Sequence, residues 1–224
     1  MMLMQPAPNR APGWNEFNVH LWWHANEDAA TVPRARRGRL DVLLRRVLSR
    51  YVDVPAEGLR FAREARGRPY LLGTDRVEDD VPDFNLSDTL GGTVIAVAER
   101  GRVGVDLERF DRVLPHRKLA QRYFSECECT VLEAMDDDAA RRAFLRLWTA
   151  KEASCKSTGT GIYGQLSHWV FDARAESPTL IALPAAAGEA ARWHYLRLTP
   201  VSGYTAVLAC DGWRPRALGF VLAD

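Results

Sequence analysis

Apolar and polar positions along the chain change period several times, and each change marks an element. From Glu16 to His24, the residues Phe17, Val19, Leu21 and Trp23 fall on one side, the period of two that a half-buried strand requires. His20 and His24 lie four apart, roughly 13 Å along a strand, too far to share one ion, and they read as ordinary strand residues. Leu40, Leu43, Leu44, Val47, Leu48 and Tyr51 recur at three and four, predicting an amphipathic helix over Arg36–Tyr51. Its first turns and the loop before them carry Arg34, Arg36, Arg37 and Arg39. Short strands are predicted at Leu59–Ala62, Phe84–Ser87, Thr93–Glu99 and Val103–Glu108, the last two joined through Arg100 and Gly101 as a hairpin. From Pro115 the period is helical, ending in a long run from Ala139 to Ser157 with Phe144, Trp148 and Glu152 on successive turns. Strand-like segments return at His168–Phe171, Thr179–Leu183, Trp193–Leu198, Tyr204–Ala209 and Leu218–Leu222.

Strands, a helix, strands, helices and strands again make an α+β chain with mainly antiparallel sheets. The order accommodates two halves, 1–112 and 113–224, although no internal sequence similarity marks a duplication. The balance of 30 Lys+Arg against 29 Asp+Glu gives a net charge of +1, so no chain-wide basic surface for nucleic acid or an anionic membrane is expected. The longest apolar stretches, such as Val94–Ala98 and Leu180–Ala187, are too short to span a bilayer, and the opening residues lack the apolar core of a signal peptide. Four cysteines at irregular spacing fit neither a disulfide framework nor a paired zinc site. The expected compartment is the reducing cytoplasm.

Two segments carry chemistry. In Gly104-Val105-Asp106-Leu107-Glu108 the period of two puts both carboxylates on one strand face, Cα atoms roughly 7 Å apart, close enough to converge on one hard cation. Alone, that pattern is also what a solvated strand face looks like. The second segment, Trp148-Thr149-Ala150-Lys151-Glu152-Ala153-Ser154-Cys155-Lys156, sets Trp148, Glu152 and Lys156 on one helix face with Lys151 to its side. Arginine supplies 27 of the 30 basic residues, yet two of the three lysines are here. A lysine ammonium is a compact point charge suited to phosphate. Asp106, Glu108 and Glu152 with Lys151 and Lys156 therefore describe a Mg²⁺ site for a phosphate-bearing substrate, in which a carboxylate could also activate an attacking hydroxyl.

With these motifs in order and about forty residues apart, the chain resembles the Sfp-type 4′-phosphopantetheinyl transferases, a family marked by G-[VI]-D-[ILV]-E followed by W-x-x-K-E-x-x-x-K. Weaker family features also match: Gly67-Arg68-Pro69, Phe84-Asn85-Leu86-Ser87 and Phe124-Ser125-Glu126-Cys127-Glu128. The resemblance covers roughly Arg36 to Gly161. It implies a pseudo-dimer of two similar α+β halves, each a helix on a mainly antiparallel sheet, with coenzyme A in the cleft between them. It implies transfer of the phosphopantetheine arm of coenzyme A to a serine of an acyl or peptidyl carrier protein, releasing 3′,5′-ADP.

By that similarity Asp106, Glu108 and Glu152 hold Mg²⁺, with Asp106, Glu152 and Lys156 carrying the catalysis. Lys156 contacts the phosphates, Lys151 helps to position them, and Arg36, Arg37, Arg68, Pro69, Ser87 and Asp88 line the coenzyme. At Asp88 many family members have a His that reaches a coenzyme A phosphate. An ionised carboxylate cannot donate to phosphate, so either Asp88 turns away and holds a phosphate-binding arginine, the preferred reading, or the site is weakened. The competing functions are a Mg²⁺-dependent phosphohydrolase of coenzyme A or a nucleotide, and a non-catalytic module that binds coenzyme A or a carrier. Because one chain would supply the whole cleft, a monomer is the simpler expectation.

Overall fold

The N-terminal alternation becomes strand β2 (Val19–Ala25), buried at every position but the last rather than on one side. Two covered faces are the reason: Trp22 packs under a helix, while Val19, Leu21 and Trp23 face a second sheet. The computed structural model describes residues 2–14, 18–26, 33–72 and 81–223, so Glu16 and Phe17 of that predicted strand lie outside the described residues. The first sheet has the order β1-β12-β2-β6-β5, with β1 (Met4–Pro6), β5 (Asp83–Thr89), β6 (Gly92–Ala98) and β12 (Ala217–Leu222). β12 runs parallel to both β1 and β2, and the remaining pairs are antiparallel.

Helix α1 (Pro33–Leu48) lays Leu43, Leu44, Val47 and Leu48 on this sheet against Trp22, Phe84, Ile95 and Phe220. It stops short of Tyr51, whose hydroxyl instead accepts a hydrogen bond from Trp22 Nε1 at 2.7 Å. The second sheet is antiparallel, in the order β10 (Trp193–Leu198), β11 (Tyr204–Asp211), β7 (Val103–Arg109). Helix α4 (Asp137–Thr158) packs on it through Ala143, Leu147, Ala150 and Ala153, with α2 (His116–Tyr123) and α3 (Glu126–Glu133) alongside. Two short ribbons, β3 (Phe61–Arg63) with β4 (Pro69–Leu71) and β8 (Val170–Phe171) with β9 (Leu180–Ala182), complete the described strands. No helix among the described residues is long and apolar enough to cross a membrane.

The predicted hairpin of β6 and β7 does not form. β7 leaves the first sheet and pairs with β11. Its N–H groups at Val103, Val105 and Leu107 donate to side chains of β5, reaching Asp83 Oδ2 at 2.8 Å, Asn85 Oδ1 at 3.1 Å and Ser87 Oγ at 3.2 Å. Side chains thus stitch the edge of one sheet to the edge of the other, and they satisfy donors that would otherwise be orphaned in the interior. Sheet membership also crosses the line near residue 112: β7, before it, joins β10 and β11, while β12, after it, inserts between β1 and β2.

Helix α4 begins at Asp137, two residues ahead of its apolar pattern, because the Asp136 carboxylate caps Ala139 N–H at 2.8 Å. It lies so close to β7 that a Cβ on Gly104 would sit 1.9 Å from the Ala153 carbonyl oxygen and 2.5 Å from Ser157 N. The motif glycine is therefore a contact surface between backbones. Gly104→Ala is expected to destabilise the chain by about 3 kcal/mol, the upper range for overpacking. Denaturant unfolding checks it; an unchanged midpoint would mean that α4 withdraws from β7 at no cost.

Candidate active site

The close approach at Gly104 brings one face of α4 against the carboxylate face of β7. Asp106 and Glu108 are buried there, while Glu152 and Lys156 reach in from α4. Lys156 Nζ donates to Asp106 Oδ1 at 2.6 Å and to Ser87 Oγ at 3.0 Å. The Ser87 hydroxyl donates to the same Asp106 oxygen at 2.8 Å. Glu152 Oε2 lies 3.7 Å from Lys156 Nζ, and Glu108 Oε1 accepts from the Arg112 guanidinium. These groups line one cleft of about 890 Å³ together with Arg36, Arg39, Asp88 and Trp148. A separate cavity of about 440 Å³, between Trp169, Trp193 and Arg192, contains none of this set.

Asp106, Glu108 and Glu152 lie close together in this cleft, around the Lys156 ammonium. Burial, followed by the charge of Asp106, pushes the Glu152 carboxyl up to about 7. The same two causes raise Glu108, against the pull of Arg112. Burial works against the charge of Lys156, but Asp106 and Glu152 outweigh it and hold the ammonium above the ordinary lysine range. Asp106 Oδ2 and Glu108 Oε2 are buried with no hydrogen-bond partner. Among the described residues no three His, Cys, Asp or Glu side chains converge as a ready metal cage, and the Lys156 ammonium sits on Asp106. Two orphaned, same-face carboxylate oxygens beside a third carboxylate that resists ionisation are nevertheless the donor set a hard dication would satisfy.

The other residues singled out by sequence divide. Asp88 lines the cleft and accepts from Arg36 Nε at 2.5 Å and from Arg39 Nη2 at 3.1 Å. Arg37 is exposed and does not line the cleft. Arg68 is buried and committed, donating to Asp83 Oδ2 at 2.5 Å and to the Val103 carbonyl at 3.2 Å. With Pro69 it borders a side cavity of about 230 Å³ that shares Leu86 and Lys156 with the main cleft. Lys151 does not join the cleft at all. It is fully buried on another side of α4, where Nζ donates to Glu128 Oε2 at 2.7 Å, to the Leu166 carbonyl at 2.9 Å and to the Trp169 carbonyl. Arg39 and Arg112 line the cleft without having been chosen from sequence. Their signals were spacing, Arg39 one turn after Arg36 and Arg112 four residues after Glu108.

Comparison with known proteins gives consistent matches. The family model described as the ACPS 4′-phosphopantetheinyl transferase superfamily matches residues 102–209, a span that contains β7 and α4. The 4′-phosphopantetheinyl transferase HetI of Nostoc sp. is 34% identical over 78% of this chain and 70% of its own length. The 4′-phosphopantetheinyl transferase Sfp of Bacillus subtilis is 30% identical over 64% of this chain. The L-aminoadipate-semialdehyde dehydrogenase-phosphopantetheinyl transferase of Xenopus laevis is 30% identical over 62%. The chain spans 61% and 47% of the lengths of these last two. Among solved structures, the holo-acyl-carrier-protein synthase of Thermotoga maritima superposes with a TM-score of 0.39 at 24% identity, over 51% of this chain and 64% of its own.

Proposed function

Since the chain belongs to the 4′-phosphopantetheinyl transferase superfamily, we propose that it transfers the 4′-phosphopantetheine of coenzyme A to a serine of an acyl or peptidyl carrier protein, releasing 3′,5′-ADP. The observation that carries this reading is the meeting of buried Asp106 and Glu108 from β7 with Glu152 and Lys156 from α4 in one open cleft. Lys156 supplies a fixed positive charge for the pyrophosphate, already held by Asp106 and Ser87 at 2.6 and 3.0 Å. Asp106, Glu108 and Glu152 would hold Mg²⁺, which when bound would neutralise charge building on the leaving phosphate.

Glu152, with its carboxyl pushed up to about 7, is suited to take the proton of the incoming serine. The serine oxygen then bonds to the β-phosphorus, and the bond from that phosphorus to the oxygen of the departing 3′,5′-ADP breaks. Arg112, paired with Glu108 and half exposed at the cleft, holds that carboxylate in place. One cleft built by both sheets of a single chain supports a monomer, and four free thiols at Cys127, Cys129, Cys155 and Cys210 are in keeping with the cytoplasm.

Incubating the chain with an apo carrier protein, coenzyme A and Mg²⁺, then weighing the intact carrier, tests the proposal. The expected result is a phosphopantetheine-sized mass increase that disappears when a chelator replaces Mg²⁺. Coenzyme A breakdown with no mass on the carrier would assign a hydrolase instead, and neither change would reduce the chain to a binding module.

A further inference from the structure

Strand β11 sets Thr205 opposite Glu108, Val207 opposite Asp106 and Ala209 opposite Gly104. Residues directly opposite on an antiparallel pair share a face, with Cβ atoms about 4.5–5.5 Å apart. These three therefore lie on the side of the sheet that carries the motif carboxylates and meets α4. Val207 and Ala209 pack into the core beneath that helix. Thr205 breaks the apolar set. It is 1% exposed, and its hydroxyl has no hydrogen-bond partner among the described residues. Valine would occupy nearly the same volume and leave nothing unsatisfied, whereas a buried polar group without a partner costs stability. Packing alone does not account for a hydroxyl at this position.

Its counterpart stands on the facing residue. Glu108 Oε1 accepts from Arg112, whose side chain is 49% exposed, while Glu108 Oε2 is buried with no partner. Arg112 anchors one oxygen but leaves the carboxylate free to turn about its Cγ–Cδ bond; a second contact, on the other oxygen, would fix its plane. Asp106 already has a hydroxyl of this kind, since Ser87 Oγ donates to its Oδ1 at 2.8 Å. We propose that Thr205 is a positioning residue for Glu108, its hydroxyl donating to Oε2 when Glu108 takes up a divalent cation. Each strand carboxylate of the site is then oriented by one buried hydroxyl. A carboxylate oxygen has two lone pairs, so Oε2 accepts from Thr205 and still faces the cation. The inference rests on the Mg²⁺-dependent reading given above. Ligating carboxylates are held by such outer partners, whose loss typically costs about 10–100-fold in metal affinity.

Titration of the whole chain with Mn²⁺, a hard dication that takes the same oxygen ligands as Mg²⁺, tests this without a carrier. The titration is run beside coenzyme A and followed through the loss of the free-ion paramagnetic resonance signal. Thr205→Val is expected to weaken Mn²⁺ binding by about 10–100-fold. Its thermal midpoint in chelator should stay level or rise, because valine removes an unsatisfied buried hydroxyl. Thr205→Ser keeps the hydroxyl and is expected to bind Mn²⁺ as the unaltered chain does. A Thr205→Val chain that holds Mn²⁺ as tightly as the unaltered one would overturn the inference. So would a weakening that comes with a lower midpoint in chelator and is not restored by serine, since that pattern belongs to packing. If Thr205→Val does not fold, Thr205→Ala set against Thr205→Ser decides the matter by Mn²⁺ affinity. The transferase reading stands or falls separately. A chain that shows this Mn²⁺ pattern yet adds no mass to a carrier would sink the transferase and keep the role of Thr205. One that modifies the carrier while Thr205→Val binds Mn²⁺ normally would do the reverse. A chain that binds no Mn²⁺ beside coenzyme A would remove the metal site and the part of Thr205 in it together.

Discussion

Glu152→Gln is expected to lower phosphopantetheine transfer by about a thousandfold, within the range for a lost general base, and to raise the thermal midpoint of the protein in the absence of divalent cations. The two effects share one cause. Glu152 is crowded by burial and by Asp106, so its folded pKa of about 7 lies above the ordinary glutamate value of 4.5. An acid whose pKa is raised by folding binds its proton more tightly in the native state. Its carboxylate therefore costs nothing below the unfolded pKa, and costs the full difference above the folded one. At pH 8 that difference is on the order of 3 kcal/mol of destabilisation. Glutamine keeps the shape and removes the charge, so melts in chelator should show the variant more stable than the unaltered chain at pH 8, and the two converging towards pH 5. Mg²⁺ with coenzyme A should stabilise the unaltered chain more than the variant. Activity within tenfold of the unaltered enzyme, or a variant less stable at pH 8, would remove Glu152 from the centre of the site. Stability given up for function at one carboxylate is the pattern expected of a site selected for chemistry.

How far the sequence reached depends on whether a feature is written in local spacing. The face shared by Asp106 and Glu108 follows from the period of two, and Glu152 with Lys156 from the period of a helix. The structure places all four in one cleft. Partner choice between strands is not local. Val103–Arg109 reads as the second arm of a hairpin because a short turn precedes it, and nothing in its own residues says that the β11 segment, about a hundred positions later, will take its backbone. The clue was on the other strand, where Asp83, Asn85 and Ser87 place a polar side chain at every second position of β5, the last two of them buried. Polar groups at core spacing need acceptors or donors nearby, and here those donors are the N–H groups of β7.

Lysine scarcity marked both Lys151 and Lys156 for phosphate, and there composition misled. The two stand five residues apart on α4, so a helix with about 100° per residue cannot direct both into one cleft. Lys156 shares the face of Glu152. Lys151 points instead into the packing among α3, α4 and the segment leading to β8, with its charge 4.7 Å from the centre of the Phe124 ring. Lysine was retained at both positions for different reasons: at one, an ammonium open to ligand, and at the other, three donors that match three buried acceptors.

Lys151→Met should accordingly be among the most destabilising single changes in the chain, costing about 3–5 kcal/mol, the range for breaking a buried ion pair from one side. Glu128 is 2% exposed and would keep a charge with no counter-ion. Its Oε2 also accepts from Ser125 N–H at 3.0 Å and the Ser125 hydroxyl at 2.7 Å, closing the capping box of α3, while Oε1 accepts from Phe171 N–H at 2.9 Å. The carbonyls of Leu166 and Trp169 would lose their donor as well. Burial already pulls the Lys151 pKa below its ordinary value, with Glu128 holding it up, so the pair is balanced only while both members remain. The double change Lys151→Met with Glu128→Gln removes both charges and leaves an amide oxygen to cap α3. It should therefore be more stable than Lys151→Met alone, with a coupling of about 1–3 kcal/mol, the size seen between residues in one network. Lys151→Arg should fail to rescue, because a planar fork cannot reproduce three donors on a single nitrogen. Urea unfolding of the unaltered chain, Lys151→Met, Glu128→Gln, the double change and Lys151→Arg reads every term. A Lys151→Met cost under about 0.5 kcal/mol, the ordinary value for an exposed position, combined with a selective rise in the coenzyme A KM, would return Lys151 to the phosphates. The expected result keeps it in the core, as the link that ties Phe124-Ser125-Glu126-Cys127-Glu128 to the helix carrying Glu152 and Lys156.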